Sequence, residues 1–186
     1  MGSIFTIPNQ LTLLRMLLVP VFVTFMIYKR WGSALFVFVT AALTDALDGY
    51  LARRLNQKTL LGAVMDPLSD KVMMVSSFVV LSEQGLLPPW LTVIVVSRDA
   101  LLVGGVVLLR LFGTGELRIE PAFVGKLTTF FQVLTVAAVL SFKVASFSPG
   151  MLLRVLYGVT AAMTLLSGYV YFRRGRELLN HAGKGN

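Results

Sequence analysis

Cysteine is missing from this chain of 186 residues, and histidine occurs once, as His181 near the C-terminus. A disulfide framework, a thiolate nucleophile and a thiolate-held metal are thereby excluded, and a zinc centre lacks its usual ligands. Charge is also scarce. Asp, Glu, Lys and Arg together make up 14% of the residues, against about 25% in ordinary globular domains. Hydrophobic residues reach 56%, where roughly 45–50% is usual. That composition excludes intrinsic disorder, and a soluble monomer of this length could not hide so much apolar surface. Acids are the scarcer sign: 9 Asp and Glu stand against 17 Lys and Arg, for a formal net charge of +8. In a soluble protein that balance suggests nucleic acid. In a membrane protein it marks loops facing anionic lipid, and we read it in this second sense, with no nucleic-acid partner.

What the sequence has in abundance is long apolar runs. A hydrocarbon core of roughly 30 Å needs about 20 apolar residues in a helix, and six runs approach that length: 11–28, 33–51, 64–81, 90–109, 123–142 and 152–171. Breakers separate them at 29–32, 85–89, 113–121 and 146–150. Trp31, Trp90, Tyr28, Tyr169 and Tyr171 stand at run ends, where an interfacial aromatic belt belongs. The first run lacks a basic stretch ahead of it and does not read as a cleaved signal peptide. The expected fold is an all-α integral membrane protein, six transmembrane helices forming one domain over 1–186, with a polar active-site cavity at the cytoplasmic side. Lys and Arg gather in the second and fourth connections (Arg53, Arg54, Lys58; Arg110, Arg118, Lys126) and in the tail (Arg173, Arg174, Arg176, Lys184). The opposite side carries Lys29, Arg30, Lys143 and Arg154. The positive-inside rule then puts both termini in the cytoplasm, with the chain in the cell's inner membrane. Segments 4–7 and 173–181 are candidates for short interfacial helices.

Against that background four carboxylates are out of place. Asp45 and Asp48 close the second run, and Asp66 and Asp70 open the third. Charge inside a span is costly unless it is paired, hydrated or metal-bound. Helical residues three and four apart share a face, so Asp45 and Asp48 point one way, and Asp66 and Asp70 do likewise. The link between the runs is short, which predicts antiparallel neighbours carrying all four acids at one depth near the cytoplasmic surface. Protonation of some acids, or divalent cations between them, relieves the repulsion. Oxygen-only ligands suit Mg²⁺ or Mn²⁺, and two such ions are a usual clamp for displacement at phosphorus. Gly49 lies one turn from Asp45, Ala52 one turn from Asp48 and Gly62 one turn from Asp66, which leaves room on the acidic face for a bulky ligand. Arg53 offers a fork for a phosphate, and Thr59 a hydroxyl. Pro67 is expected to set the start of the third helix, and Lys71 to offset the acids.

Written out, the stretch is Asp45-x2-Asp48-Gly49-x2-Ala52-Arg53-x8-Gly62-x3-Asp66-x3-Asp70. This string resembles the signature of the CDP-alcohol phosphatidyltransferases, with every fixed position filled. The opening Ile7-Pro8-Asn9-Gln10-Leu11-Thr12-Leu13-Leu14-Arg15, the stretch Asp66-Pro67-Leu68-Ser69-Asp70-Lys71 and the six-run layout are similar to that family too. The resemblance implies two divalent ions, Mg²⁺ or Mn²⁺, held by Asp45, Asp48 and Asp66. Asp70 would complete the second metal site and act as general base on the acceptor hydroxyl. Asp48, Gly49, Ala52, Arg53, Thr59 and Gly62 would contact the CDP moiety of CDP-diacylglycerol, with Asn9 and Thr12 closing over the cytidine end. The acceptor oxygen would attack the lipid-bearing phosphorus, and CMP would leave. A homodimer is also what the family implies.

The signature fixes the donor and leaves the acceptor open. The compact layout, the opening 7–15 and the Asn56-Gln57-Lys58-Thr59 loop are most similar to the family's bacterial phosphatidylglycerophosphate synthases. Arg98, Arg110 and Lys126 supply positive charge for an anionic acceptor, and glycerol 3-phosphate is the one expected. Ser97-Arg98-Asp99, with Gly125-Lys126-Leu127-Thr128-Thr129 and Gln132, resembles the family's cardiolipin synthases, so transfer to phosphatidylglycerol is the alternative. A cation transporter is a distant third, which acids gathered at one rim disfavour. Arg98 and Asp99, deep in the fourth run, admit two readings: a phosphate contact, or an internal ion pair that fixes helix packing. Gly104-Gly105 would let another helix approach closely, a dimer partner included.

Overall fold

The computed structural model describes residues 7–55, 60–111, 123–147 and 150–182, and within these the side chains of 16–44, 71–104, 123–147, 150–174 and 176. Regular structure among the described residues is helical: α1 (Ile7–Ile27), α2 (Trp31–Leu55), α3 (Leu60–Glu83), α4 (Pro89–Leu111), α5 (Phe123–Val144) and α6 (Gly150–Ala182). Each apolar run corresponds to one helix, and most helices outrun their apolar part. Asp45 and Asp48 therefore sit inside α2, and Asp66 and Asp70 inside α3. Residues 173–181 continue α6 rather than forming a separate interfacial helix.

Pro67 does not set the start of α3, which begins at Leu60. A proline lacks the N–H for the helical i→i−4 bond, but in lipid-facing helices neighbouring groups can satisfy the freed carbonyl. The same tolerance holds at Pro20 inside α1.

Phe123–Val144 and Gly150–Arg174 are long and apolar enough to cross a membrane, and Met16–Ile27 and Trp31–Thr44 are shorter apolar stretches. Only 33% and 28% of the two longer ones are buried within the chain, so most of their side chains face outward. Phe36, Leu101, Phe123, Met151 and Phe172 are all exposed. An exterior of that kind suits acyl chains and not water.

Three helices end alike. Lys29 N–H donates to the Met26 carbonyl at 3.0 Å and Arg30 N–H to Phe25 at 2.8 Å. The same pattern closes α3, from Gly85 to Ser82 and Leu86 to Leu81, and α5, from Ser146 to Lys143 and Phe147 to Phe142. These are Schellman caps, which need a left-handed residue just past the helix. Here φ is 56° at Lys29, 70° at Gly85 and 53° at Ser146. The caps fall at three of the four breakers expected from the sequence.

The chain forms two compact units. The first comprises Met1–Leu86 and Val136–Pro149, the second Leu87–Thr135 and Gly150–Asn186, so α5 gives its C-terminal part to one and its N-terminal part to the other. In the first, α1 packs against both α2 and α3. Phe22, Met26, Phe38, Met74, Phe78 and Leu81 are buried there, with the Phe22 and Phe38 rings 5.7 Å apart. In the second, α4 packs on α6, and Leu91 and Val95 are buried. The remaining buried side chains of that unit are largely polar: Thr128, Gln132 and Thr135 on α5, Thr160, Thr164 and Ser167 on α6, and Arg98 and Asp99 on α4.

Candidate active site

The acidic motif lies on the first unit. Its geometry rests on helix continuity, because the shared-face argument fails if either segment uncoils. Both segments are helical throughout: α2 runs through Leu55, and α3 is already formed at Leu60. At 1.5 Å rise per residue, Asp45 and Asp48 are offset by about 4.5 Å along one face of α2. Asp66 and Asp70 are offset by about 6 Å along one face of α3. Gly49, Ala52 and Gly62 fall on the same faces as the acids one turn away. The side chains of these residues, and of Asn9, Thr12, Arg53 and Arg110, lie outside the described set, as does Thr59 altogether. As a donor set, four carboxylates at i,i+3 and i,i+4 spacing with no sulfur or imidazole fit a hard divalent cation.

Of the three cations expected near the acceptor, Arg98 and Lys126 have described side chains, and both belong to the second unit. They differ sharply. Lys126 is exposed, in the first turn of α5. Arg98 is buried at 7% exposure, with its neighbour Asp99 at 3%. The Arg98 Nη1 donates to Asp99 Oδ1 at 2.7 Å, so the internal ion pair exists. Adjacent helical residues ordinarily point apart. This pair closes because the Arg98 stem runs across to α6, where Cγ would lie 3.8 Å from a Cβ built on Gly168. Nη2 donates to the Ser167 hydroxyl, and the Tyr171 ring lies 5.8 Å from the guanidinium carbon. Nε is left without a partner among the described residues.

Further hydroxyls stitch α5 to α6. Thr128 Oγ1 donates to the Met163 carbonyl at 2.9 Å, and the Thr135 and Thr160 hydroxyls share a bond of 2.8 Å. Gln132 Nε2 reaches Thr164 Oγ1 at 3.4 Å, while its Oε1 is buried and has no partner among the described residues. Sequence reasoning placed Tyr171 in an interfacial belt and gave Ser167, Thr160 and Thr164 no role. The signal was present: polar residues at 160, 164, 167 and 171 repeat every three or four positions and so share one face of α6. Gly104 serves no close helix approach within the described chain, since nothing lies within 4 Å of where its Cβ would stand.

A model of the CDP-alcohol phosphatidyltransferase family matches residues 5–167, a stretch that runs through both units. A human protein named cardiolipin synthase (CMP-forming) is 35% identical over 189 residues, covering 92% of this chain and 62% of the human protein. The CDP-diacylglycerol–glycerol-3-phosphate 3-phosphatidyltransferase of Bacillus subtilis is 31% identical over 194 residues, covering 94% of this chain and 97% of that one. A probable phosphatidylglycerophosphate synthase of Mycobacterium tuberculosis is 37% identical over 141 residues, 73% of this chain and 66% of its own length. The chain therefore spans 62% of the length of the human relative and nearly all of the Bacillus one. With the full acidic signature on unbroken helices and a family match across most of its length, this chain belongs to the CDP-alcohol phosphatidyltransferases.

Proposed function

We propose that the protein moves a phosphatidyl group from CDP-diacylglycerol to a hydroxyl of glycerol 3-phosphate, giving phosphatidylglycerophosphate and CMP. The observation that carries the donor half is the signature from Asp45 to Asp70, filled at every fixed position and borne on continuous α2 and α3. For the acceptor, support comes from the end-to-end similarity to the Bacillus relative, whose name specifies glycerol 3-phosphate.

Asp45, Asp48, Asp66 and Asp70 would hold two divalent ions, Mg²⁺ or Mn²⁺, whose charge would offset that of the donor diphosphate. Asp70 takes the proton from the acceptor hydroxyl, a role worth about 10²–10⁴-fold in rate for a well-placed base. The acceptor oxygen bonds to the lipid-bearing phosphorus as the bond to the CMP oxygen breaks. Gly49, Ala52 and Gly62 keep the acidic faces low enough for the diphosphate to approach, and Arg53 forks onto it. Thr59 adds a hydroxyl, and Asn9 and Thr12 close over the cytidine. Lys126, exposed at the positive end of α5, binds the acceptor phosphate with Arg110, and Arg98 contributes through its unspent Nε. The same reading takes 1–186 as one domain of six spans in the inner membrane, homodimeric, with termini and active-site cavity cytoplasmic.

Transfer to phosphatidylglycerol is the second reading, favoured by the 35% identity to the human cardiolipin synthase and by the sequence around Arg98 and Lys126. Both acceptors present a glycerol hydroxyl on a phosphorylated glycerol, so the same cations serve either. Purified protein given labelled CDP-diacylglycerol and Mn²⁺ should release CMP when glycerol 3-phosphate is added. Release with phosphatidylglycerol alone would reassign the acceptor and keep the donor chemistry. No release with either would overturn both.

A further inference from the structure

We infer that Tyr171, seated on Gly125, is a positioning residue that fixes the Arg98 guanidinium and ties it to the turn of α5 bearing Lys126. The inference rests on the proposed role of Arg98 and Lys126 as acceptor-binding cations. It adds three residues, Gly125, Ser167 and Tyr171, that neither the acidic signature nor the cation count contains.

The guanidinium is held on three sides. Asp99 accepts from Nη1 at 2.7 Å, Ser167 accepts from Nη2, and the Tyr171 ring covers the group at 5.8 Å. Ser167 and Tyr171 are four residues apart on α6 and therefore share a face. Nothing in the described protein accepts from Nε, though Arg98 is only 7% exposed. A buried guanidinium with two of its five N–H groups fixed, and its Nε–H without a partner among the described residues, is preorganised for an incoming oxyanion, because it loses little freedom when the ion arrives. The Asp99 carboxylate removes most of the net charge, so orientation rather than field is what Arg98 can offer. Orientation in turn depends on the ring.

Tyr171 reaches that place through a notch. A Cβ built on Gly125 would stand 3.0 Å from the Tyr171 hydroxyl oxygen, 3.4 Å from Cε2 and 3.6 Å from Cζ. Only the hydroxyl is tighter than ordinary contact. A methyl at 125 would push the ring tip away by a few tenths of an ångström and so shift the ring over the guanidinium. Residue 125 immediately precedes Lys126, so one ring touches the Arg98 head on one side and the backbone of the lysine's turn on the other.

The test uses full-length protein in detergent with saturating CDP-diacylglycerol and varied glycerol 3-phosphate. Tyr171→Leu, which removes the ring face, should raise the acceptor KM about tenfold and leave the KM for CDP-diacylglycerol within about twofold. Gly125→Ala should raise the acceptor KM about fivefold. In Gly125→Ala/Tyr171→Phe the atom at 3.0 Å is gone, so the acceptor KM should fall back to that of Tyr171→Phe alone. A second measurement needs no turnover: in protein carrying isotope-labelled arginine, the Nε–H resonance of Arg98, identified by its loss in Arg98→Lys, should move in both Tyr171→Leu and Gly125→Ala. Equal rises in both KM values, or an Nε–H resonance unmoved by either variant, would reduce Tyr171 to helix packing. A wild-type protein that releases no CMP would sink the proposed function while the resonance still decides the positioning role.

Discussion

The two units contain the same small hydroxyl side chains, and among the described residues only the second also uses them between helices. In the first, Thr24, Thr40, Thr44 and Ser77 each donate to the carbonyl one turn back on their own helix, at 2.6–2.7 Å. Such bonds satisfy the hydroxyl locally and leave the helix interface to apolar contacts, here Phe22 against Phe38 with Met26, Phe78 and Leu81. In the second, Thr128, Thr135 and Thr164 make the same bond back along their own helix, at 2.7–2.8 Å, but Thr128, Thr135 and Gln132 also reach across to α6, and Arg98 reaches from α4 to Ser167. Without a hydrophobic force between helices in lipid, interhelical hydrogen bonds carry more of the association. On the proposed function, the first unit keeps its four acids for chemistry and packs on apolar groups. The second spends polar groups on packing and gains a fixed cation.

If that division is right, substitutions in the two units fail in different ways, and the largest effect belongs to the acids. Asp70→Asn should lower kcat by about 10²–10⁴-fold, the range of a general base, with CDP-diacylglycerol binding by a spin-column assay largely retained. Asp45→Asn should weaken both metal and donor binding. Within the first unit, Phe78→Ala should cost about 3–5 kcal/mol of stability through the cavity it opens, read as a fall in the thermal midpoint in detergent with no change in acceptor preference. Within the second, Asp99→Leu alone strands the buried Arg98 charge and should cost about 3–5 kcal/mol, whereas Arg98→Met/Asp99→Leu should recover most of it. Failure of the double variant to recover would show that the pair is not the main polar cost in that unit. Thr135→Val should cost only about 0.6 kcal/mol, the mean worth of a hydrogen bond between helices in lipid.

These contrasts also mark how far the sequence can be read. The six helices were legible because each matches one long apolar run, and the turns at 29–32, 85–89 and 146–150 because breakers interrupt those runs. The acidic faces were legible because i,i+3 and i,i+4 spacing is a property of any helix. The Arg98–Asp99 pair stayed one of two readings because neighbours on a helix do not face each other; only the passage of the Arg98 stem beside Gly168 turns the head back to Asp99. Tyr171 was placed in the belt by its position at a run end, which carries no sign of its seat on Gly125 or its place beside Arg98, both tertiary facts. Pro67 misled because propensity favours helix starts, while lipid-facing helices accept proline farther in.

The smallest effect sharpens the comparison at the helix ends. The three Schellman caps found among the described residues belong to the first unit, where backbone bonds close these turns. Two of the three place a side chain in the left-handed region, at Lys29 and Ser146, at a cost of about 1 kcal/mol each. Lys29→Gly and Ser146→Gly should therefore raise the thermal midpoint, each by the equivalent of about 0.5 kcal/mol once the extra freedom of glycine in the unfolded chain is subtracted. Gly85 supplies the control. A Cβ there would meet nothing within 4 Å, yet φ is +70°, so Gly85→Ala should destabilise by about 1 kcal/mol through backbone strain alone. A midpoint that fell in all three variants would mean that the Lys29 and Ser146 side chains contribute contacts outweighing their strain, and that the caps are not purely backbone devices.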